Sequence, residues 1–254
     1  MIKLNIKSII CILCMILGII ILSSGGSSKV GFSVARNKRI VFAPGNLTMD
    51  WKGNFMFVDS QYDFGQLYGW GTGNKPRQQS VDDKDYSAFY DWGDYLDGDW
   101  HTLTINEWHY LIKKRSGAKS KCGVGNIEGT PGLIILPDYW ELPFGVSFVS
   151  GFSGFVPEVE SDWKHWTRNS YTLKQWKKME DAGAVFLPAN GLRVGDDVRI
   201  GGTKGMRNHG YYWSSSPDGS IRAHCFEFWG YGCSDENTPH RKEGQAVRLV
   251  RYVN

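Results

Sequence analysis

Gly210-Tyr211-Tyr212-Trp213-Ser214-Ser215-Ser216, followed further on by Gly244-Gln245-Ala246-Val247-Arg248-Leu249-Val250, decides the reading of this chain. A glycine-led aromatic block closes on an apolar final run in which Arg248 stands between Val247 and Leu249. Between the two, Ile221 to Phe228 alternates apolar and polar side chains, the period of a half-buried strand. The pattern predicts the last hairpins of a β-rich domain, with the C-terminus held in the core.

If Phe226 and Phe228 face inward, alternation turns His224 inward and Cys225 and Glu227 outward. Trp229-Gly230-Tyr231-Gly232 reads as the turn. A loop of those four residues sets Phe228 opposite Cys233 and Cys225 opposite Glu236. The two thiols are then not partners, because a disulfide needs Cα atoms within about 7 Å. Aromatic rings at a turn, beside amides and charges, are what stacks on a sugar or anchors a protein partner. The candidate ligand-contact residues are therefore Trp229, Tyr231, Asp235, Asn237, His240 and Arg241. The competing reading has both rings fold back over the core. Trp108, Trp140 and Trp213 are expected inside.

Working toward the N-terminus, two capped helices stand out. Thr104 with Glu107 three residues on forms a capping box, and Trp108, Leu111 and Ile112 share one helical face. Lys113, Lys114 and Arg115 suit that helix's C-terminal dipole. Thr172 with Gln175 repeats the signal for a helix to Ala182, with Trp176, Met179 and Ala182 inward. Gly132 to Pro137 and Gly183 to Pro188 are apolar runs stopped by proline, as buried strands are. Arg39 to Ala43 and Trp51 to Val58 predict a hairpin around the Pro44-Gly45-Asn46 turn. These elements describe one mixed α+β domain over residues 36–254, preceded by a short leader at 29–35.

Residues 1–28 carry an export signal: Lys3 and Lys7, an apolar run from Ile9 to Leu22, then a small polar exit. Fourteen apolar residues are short for a bilayer span, which needs roughly 20. Both a cleaved signal peptide and an uncleaved anchor remain open, and either takes the protein out of the cytosol to the cell surface, the periplasm or the medium. Without Lys3 and Lys7, 27 basic side chains face 26 acidic ones. A near-neutral domain with no basic run excludes nucleic acid as a partner and leaves the membrane only the N-terminal anchor. The 11 Trp, 12 Tyr and 13 Phe can fill a large core, while 31 Gly point to many turns.

No chemistry emerges from the remaining motifs. Ser214 to Ser216 lack the glycine-flanked elbow of a hydrolase nucleophile, and the histidines form no zinc-binding pair on a helix. His109 lies beyond the buried face of its helix and is expected in solvent. Asp94, Asp97 and Asp99 are the weak metal candidate, since closely spaced oxygens are what calcium requires, but they do not follow a calcium-loop register. The sequence implies no cofactor.

Five motifs in order carry a family resemblance: Trp100-x-Thr-Leu-Thr-x-x-Glu-Trp-x-Tyr-Leu111, Gly132-Leu-Ile-Ile-Leu-Pro-Asp-x-Trp140, Gly183-Ala-Val-Phe-Leu-Pro-Ala189, Tyr211-Tyr-Trp-Ser-Ser-Ser216 and Ala246-Val-Arg-Leu-Val250. Over roughly residues 36–252 the chain resembles exported Bacteroidetes proteins carrying the Fibrobacter major paralogous domain. The Leu103 to Tyr110 segment is distantly similar to a helix of formylglycine-generating enzymes. The resemblance implies a C-type-lectin-like fold: two helices on small twisted antiparallel sheets, adjacent terminal strands and long ordered loops. The oxidase cysteine pair has no counterpart, since Cys225 and Cys233 flank a turn.

The function expected is therefore a non-enzymatic exported binding domain for a glycan or surface protein. The alternative is a structural or adhesive subunit of a surface appendage, with Arg39 to Ala43 completing another subunit's sheet. An enzyme of unstated reaction stands third.

Overall fold

The computed structural model describes residues 31–71, 80, 82–152, 163–200 and 208–253. Residues 1–28, read above as an export signal, lie outside them. β1 (Phe32–Ala35) and β2 (Lys38–Phe42) form an antiparallel hairpin, and β3 (Leu47–Met49) pairs with β4 (Phe55–Phe57). The capped helix α1 (Ile105–His109) runs on into a π turn, Tyr110–Lys114. β5 (Cys122–Ile127) and β6 (Thr130–Ile135) follow, then α2 (Trp163–Trp166), β7 (Ser170–Tyr171), α3 (Leu173–Asp181) and β8 (Val185–Pro188). β9 (Leu192–Val194) and β10 (Asp197–Arg199) make a small hairpin. The chain closes with β11 (His209–Asp218), β12 (Arg222–Trp229), β13 (Gly232–Asn237) and β14 (Val250–Val253).

Three sheets organise the core of this α+β fold. β14 joins the free side of β2, giving the order β1-β2-β14 and setting the C-terminal strand beside the N-terminal hairpin. The four-stranded sheet runs β7-β5-β6-β8, and the two proline-terminated runs of the sequence are direct antiparallel partners within it. Its Ile127, Ile134 and Phe186 pack against Trp176 and Met179 of α3, while Val124, Leu133 and Leu187 face the main core with Trp108 and Leu111. The third sheet is β11-β12-β13.

Both capping boxes form: Thr104 accepts from the Glu107 amide, Thr172 from the Gln175 amide, and each partner side chain reaches back to its cap. A cap of this kind contributes about 1 kcal/mol. Ala182 is only partly buried and caps α3 rather than lining its inner face. Arg115 does not serve the helix dipole from solvent. It is buried, donates to the Leu111 carbonyl at 2.8 Å and meets Asp138 at 3.2 Å. Trp108 and Trp213 are core as expected, and Trp140 is half-buried against the α3 cluster.

Three expectations change. Residues 32–35 are not leader but strand β1, because Phe32 and Val34 alternate into the main core. The predicted hairpin of 39–43 with 51–58 does not form. Asp50 instead gathers the Lys52 and Asn54 amides into a tight turn that folds β4 onto β3. β2 is paired on both sides, so the Arg39 to Ala43 edge offered above for completing another subunit's sheet is already occupied.

Candidate functional site

Alternation along β11 places His209, Tyr211 and Trp213 on one face of the third sheet, and register sets them opposite Trp229, Glu227 and Cys225 of β12. The inner half of this face is roofed by Trp70, Trp92 and Val247, which bury Trp213, Ala223 and Cys225. The opposite face carries Tyr212, Phe226 and Phe228 into the main core. Cys225 is therefore buried, not outward as parity against a single core required, since this sheet is covered on both sides. His224 is only half-buried.

The roof does not reach the outer half of the face. There His209, Tyr211, Glu227 and Trp229 are all half-buried. The His209 ring lies near-parallel to Tyr211 (5.8 Å, 23°) and to Trp229 (5.7 Å, 22°). Glu227 Oε1 is 2.8 Å from His209 Nδ1, and Oε2 accepts from Asn237 Nδ2 at 3.0 Å. Burial, reinforced by the Glu227 charge, pushes the Tyr211 hydroxyl well above the ordinary tyrosine range, so it stays a neutral donor. Asn237 reaches Glu227 because β13 carries one extra residue opposite Cys225 to Glu227, a bulge that sets Cys225 opposite Asn237 instead of Glu236.

The turn is tighter than expected. Trp229 pairs with Gly232, leaving Gly230 and Tyr231 as the loop, while Phe228 faces Cys233 as the sequence predicts. The Trp229 ring leans over Gly232, where an added Cβ would stand 2.9 Å from it. Tyr231 sits edge-on to Trp229 at 5.9 Å and packs on His165 at 5.3 Å. Both rings are partly folded back, and neither is fully withdrawn.

The six candidate contact residues do not share one surface. Trp229 and Asn237 lie on the aromatic face, and Tyr231 borders it. Asp235 points the other way, where its carboxylate is 2.5 Å from His109 and ion-paired with Lys113, tying β13 to the first helix. His109 is accordingly engaged with the Asp235 carboxylate rather than simply solvated. His240 meets Asp83 at 3.3 Å and Arg222 at 3.2 Å, well down the sheet. Arg241 is buried, not a contact residue. Its guanidinium lies over Trp70 and donates to the carbonyls of Tyr86, Ser87, Gly219 and Arg222, pinning the 82–87 loop.

Asp94, Asp97 and Asp99 are exposed, and among the described residues no three carboxylate, imidazole or thiol groups gather to hold a metal ion. Asp91 does the structural work of that stretch by accepting from the Gly93 and Thr102 amides. Ser214 and Ser216 are likewise committed, to the His224 carbonyl and the Ile105 amide. Sequence reasoning missed His209, Tyr211 and Glu227. Their signal was present as the period-two set His209, Tyr211, Trp213, of which the sequence reading places only Trp213, as core.

Comparison with protein-family models, with curated proteins and with solved structures finds no match to this chain.

Proposed function

We propose that this is an exported, surface-associated binding domain with a C-type-lectin-like fold, and that it recognises a glycan through the outer face of β11–β12–β13. The observation that carries the reading is the aromatic row Tyr211, His209 and Trp229 beside a carboxylate fixed by Asn237. Aromatic rings cover the apolar C–H face of a sugar, while Glu227, Asn237 and Tyr211 offer hydroxyls an acceptor and donors at defined places. A half-buried row is pre-ordered and loses little side-chain freedom on binding. Export rests on the Lys3, Lys7 and Ile9 to Leu22 pattern, and the fold assignment on the five ordered motifs.

The test is a broad glycan array probed with the purified protein and with Trp229→Ala. Saturable binding that the substitution removes, with the melting transition nearly unchanged, supports the reading. A well-folded protein blank on the array, yet recovering a surface protein in a pull-down, would replace the glycan with a protein partner.

A further inference from the structure

The loop from Tyr139 to Ser150 divides its large apolar side chains between two surroundings. Trp140, Val146 and Phe148 pack against the α3 cluster. Tyr139, Leu142 and Phe144 stand in solvent, 70%, 50% and 97% exposed. The backbone that presents them is nonetheless tied down. Asn169 brackets Val149, accepting from its amide at 2.8 Å and donating to its carbonyl at 2.9 Å. The Tyr171 hydroxyl donates to the Ser147 carbonyl at 2.5 Å. The Val146 amide closes a turn onto the Pro143 carbonyl at 3.4 Å, with Gly145 at φ +78° in the second central position, where that conformation favours glycine. Phe144 thus occupies the tip of a fixed turn. Three large apolar side chains within six residues, presented by an ordered backbone, mark a contact surface rather than a stray exposed residue.

The place where the chain enters the domain points to what covers this surface. The Asp138 amide donates to the Gly31 carbonyl at 2.9 Å, so the first described residue lies beside the start of the loop. Upstream, only residues 23–30 separate Gly31 from the apolar run Ile9 to Leu22. Eight residues span at most about 30 Å when fully extended. The run, if retained in a bilayer, therefore keeps this end of the domain close to the membrane surface. Lys3 and Lys7 precede the run, which leaves the domain on the outer side. The rim of the loop is cationic. Exposed Lys178 donates to the Phe144 carbonyl at 3.0 Å and exposed Arg168 to the Ser150 carbonyl at 2.9 Å, while Glu141 is the single acid of residues 139–150. Apolar and aromatic side chains rimmed by cations match the boundary between acyl chains and phosphate headgroups.

We propose that Tyr139, Leu142 and Phe144 insert into the outer headgroup region of the membrane that holds residues 9–22. The inference rests on that run being retained as an anchor and uses no residue of the aromatic face. The tether and the loop together give the domain two points of attachment, and so one orientation on the membrane.

The experiment places an environment-sensitive fluorophore at position 144 through Phe144→Cys, in the full chain carrying Cys11→Ala and Cys14→Ala. Cys122, Cys225 and Cys233 are buried or half-buried, so the label goes to the introduced thiol. The protein is reconstituted in vesicles of phosphatidylcholine and phosphatidylglycerol. The emission should shift to the blue, be quenched by spin-labelled lipid and be spared by aqueous iodide. Lys178→Glu should reduce the lipid quenching, as should high salt. Leu142→Ser should reduce it too, with the melting transition and any glycan binding unchanged, and Trp229→Ala should leave it as it is. Vesicle-bound protein whose label is quenched by iodide and not by lipid would overturn the proposal while the anchor stands. A label shielded from both quenchers would replace the lipid with a protein partner or a second copy. Recovery of the exported protein from cells in soluble form, with residues 1–28 removed, would overturn the anchor and the proposal with it, leaving the aromatic face untouched.

Discussion

Tyr212 and Trp213, neighbours in sequence, belong to different cores. The Tyr212 ring lies near-parallel to Phe228 at 6.1 Å, and its hydroxyl donates to the Pro188 carbonyl at 2.9 Å. Trp213 points the opposite way, where its indole donates to the Tyr68 carbonyl at 2.7 Å. β11 is thus the partition between the two clusters, and its outer end is the part that only one cluster covers. The aromatic face is the uncovered remainder of a sheet otherwise buried on both sides.

The Tyr212 hydroxyl also accepts from Asn46 Nδ2 at 3.1 Å, and Arg248 donates to Asn46 Oδ1 at 3.3 Å. Tyr212→Phe leaves the ring packing intact but strips the Pro188 carbonyl and the Asn46 amide of a partner in a fully buried place. The expected cost is about 1–3 kcal/mol by urea denaturation. A change below about 0.5 kcal/mol would show that the network relaxes around the loss.

Asp235 joins β13 to the first helix. Burial raises its carboxyl, but the bonds from Lys113 and His109 outweigh that and hold it below the ordinary aspartate value. A depressed acid contributes stability above its unfolded pKa and loses it as pH falls through the folded value. Stability should therefore fall steeply below about pH 4, and Asp235→Asn should flatten that limb. At pH 6 the substitution should cost about 1–2 kcal/mol, less than a fully buried pair because both partners are exposed on one side. An acid limb of unchanged slope would assign it to other carboxylates, such as Glu107, which Lys38, Tyr252 and its own cap also hold low against burial.

Local signals survived from sequence to structure wherever the cause was local. Both capping boxes, the proline-stopped strands and the Phe228–Cys233 pairing follow from residues within a few positions of each other. Tertiary choices did not. Nothing near Arg39 says that Val250–Val253 will pair with its strand, and nothing near Phe228 says that a second core will cover Cys225. Alternation fixes which residues share a face but not how many faces are buried, which is why Cys225 is buried where parity against one core turns it outward. The burial of Arg241 escapes the sequence for a related reason, since two of its carbonyl partners come from the distant 86–87 loop.

Gly232 sets the pose of Trp229, because an added Cβ would stand 2.9 Å from the indole. Gly232→Ala should push the ring off the turn while leaving the buried strand pairing intact. We expect a red-shifted tryptophan emission, a melting transition within a few degrees of wild type, and weaker glycan binding at the aromatic face. Unchanged emission with unchanged binding would mean that the indole is free to move and that its observed pose has no part in recognition.

The three thiols of the described domain are free, with Cys122 and Cys225 buried and Cys233 half-buried. Burial pushes all three up, Cys233 to about 12, with nearby Lys113 only partly opposing it. The thiolate is the reactive form, so Cys233 should react with a disulfide reagent at pH 8 roughly a thousand-fold more slowly than an unfolded cysteine. Peptide mapping should find these three positions unlabelled in the folded protein and fully labelled in urea. Because the unfolded thiols ionise near pH 8.5 and the folded ones do not, stability should decline as pH rises from about 9 to 12. Cys233→Ser should reduce that decline. Fast labelling of Cys233 at pH 8 would instead show that β13 opens readily from the main core, and that the Asp235 tether does not hold it shut.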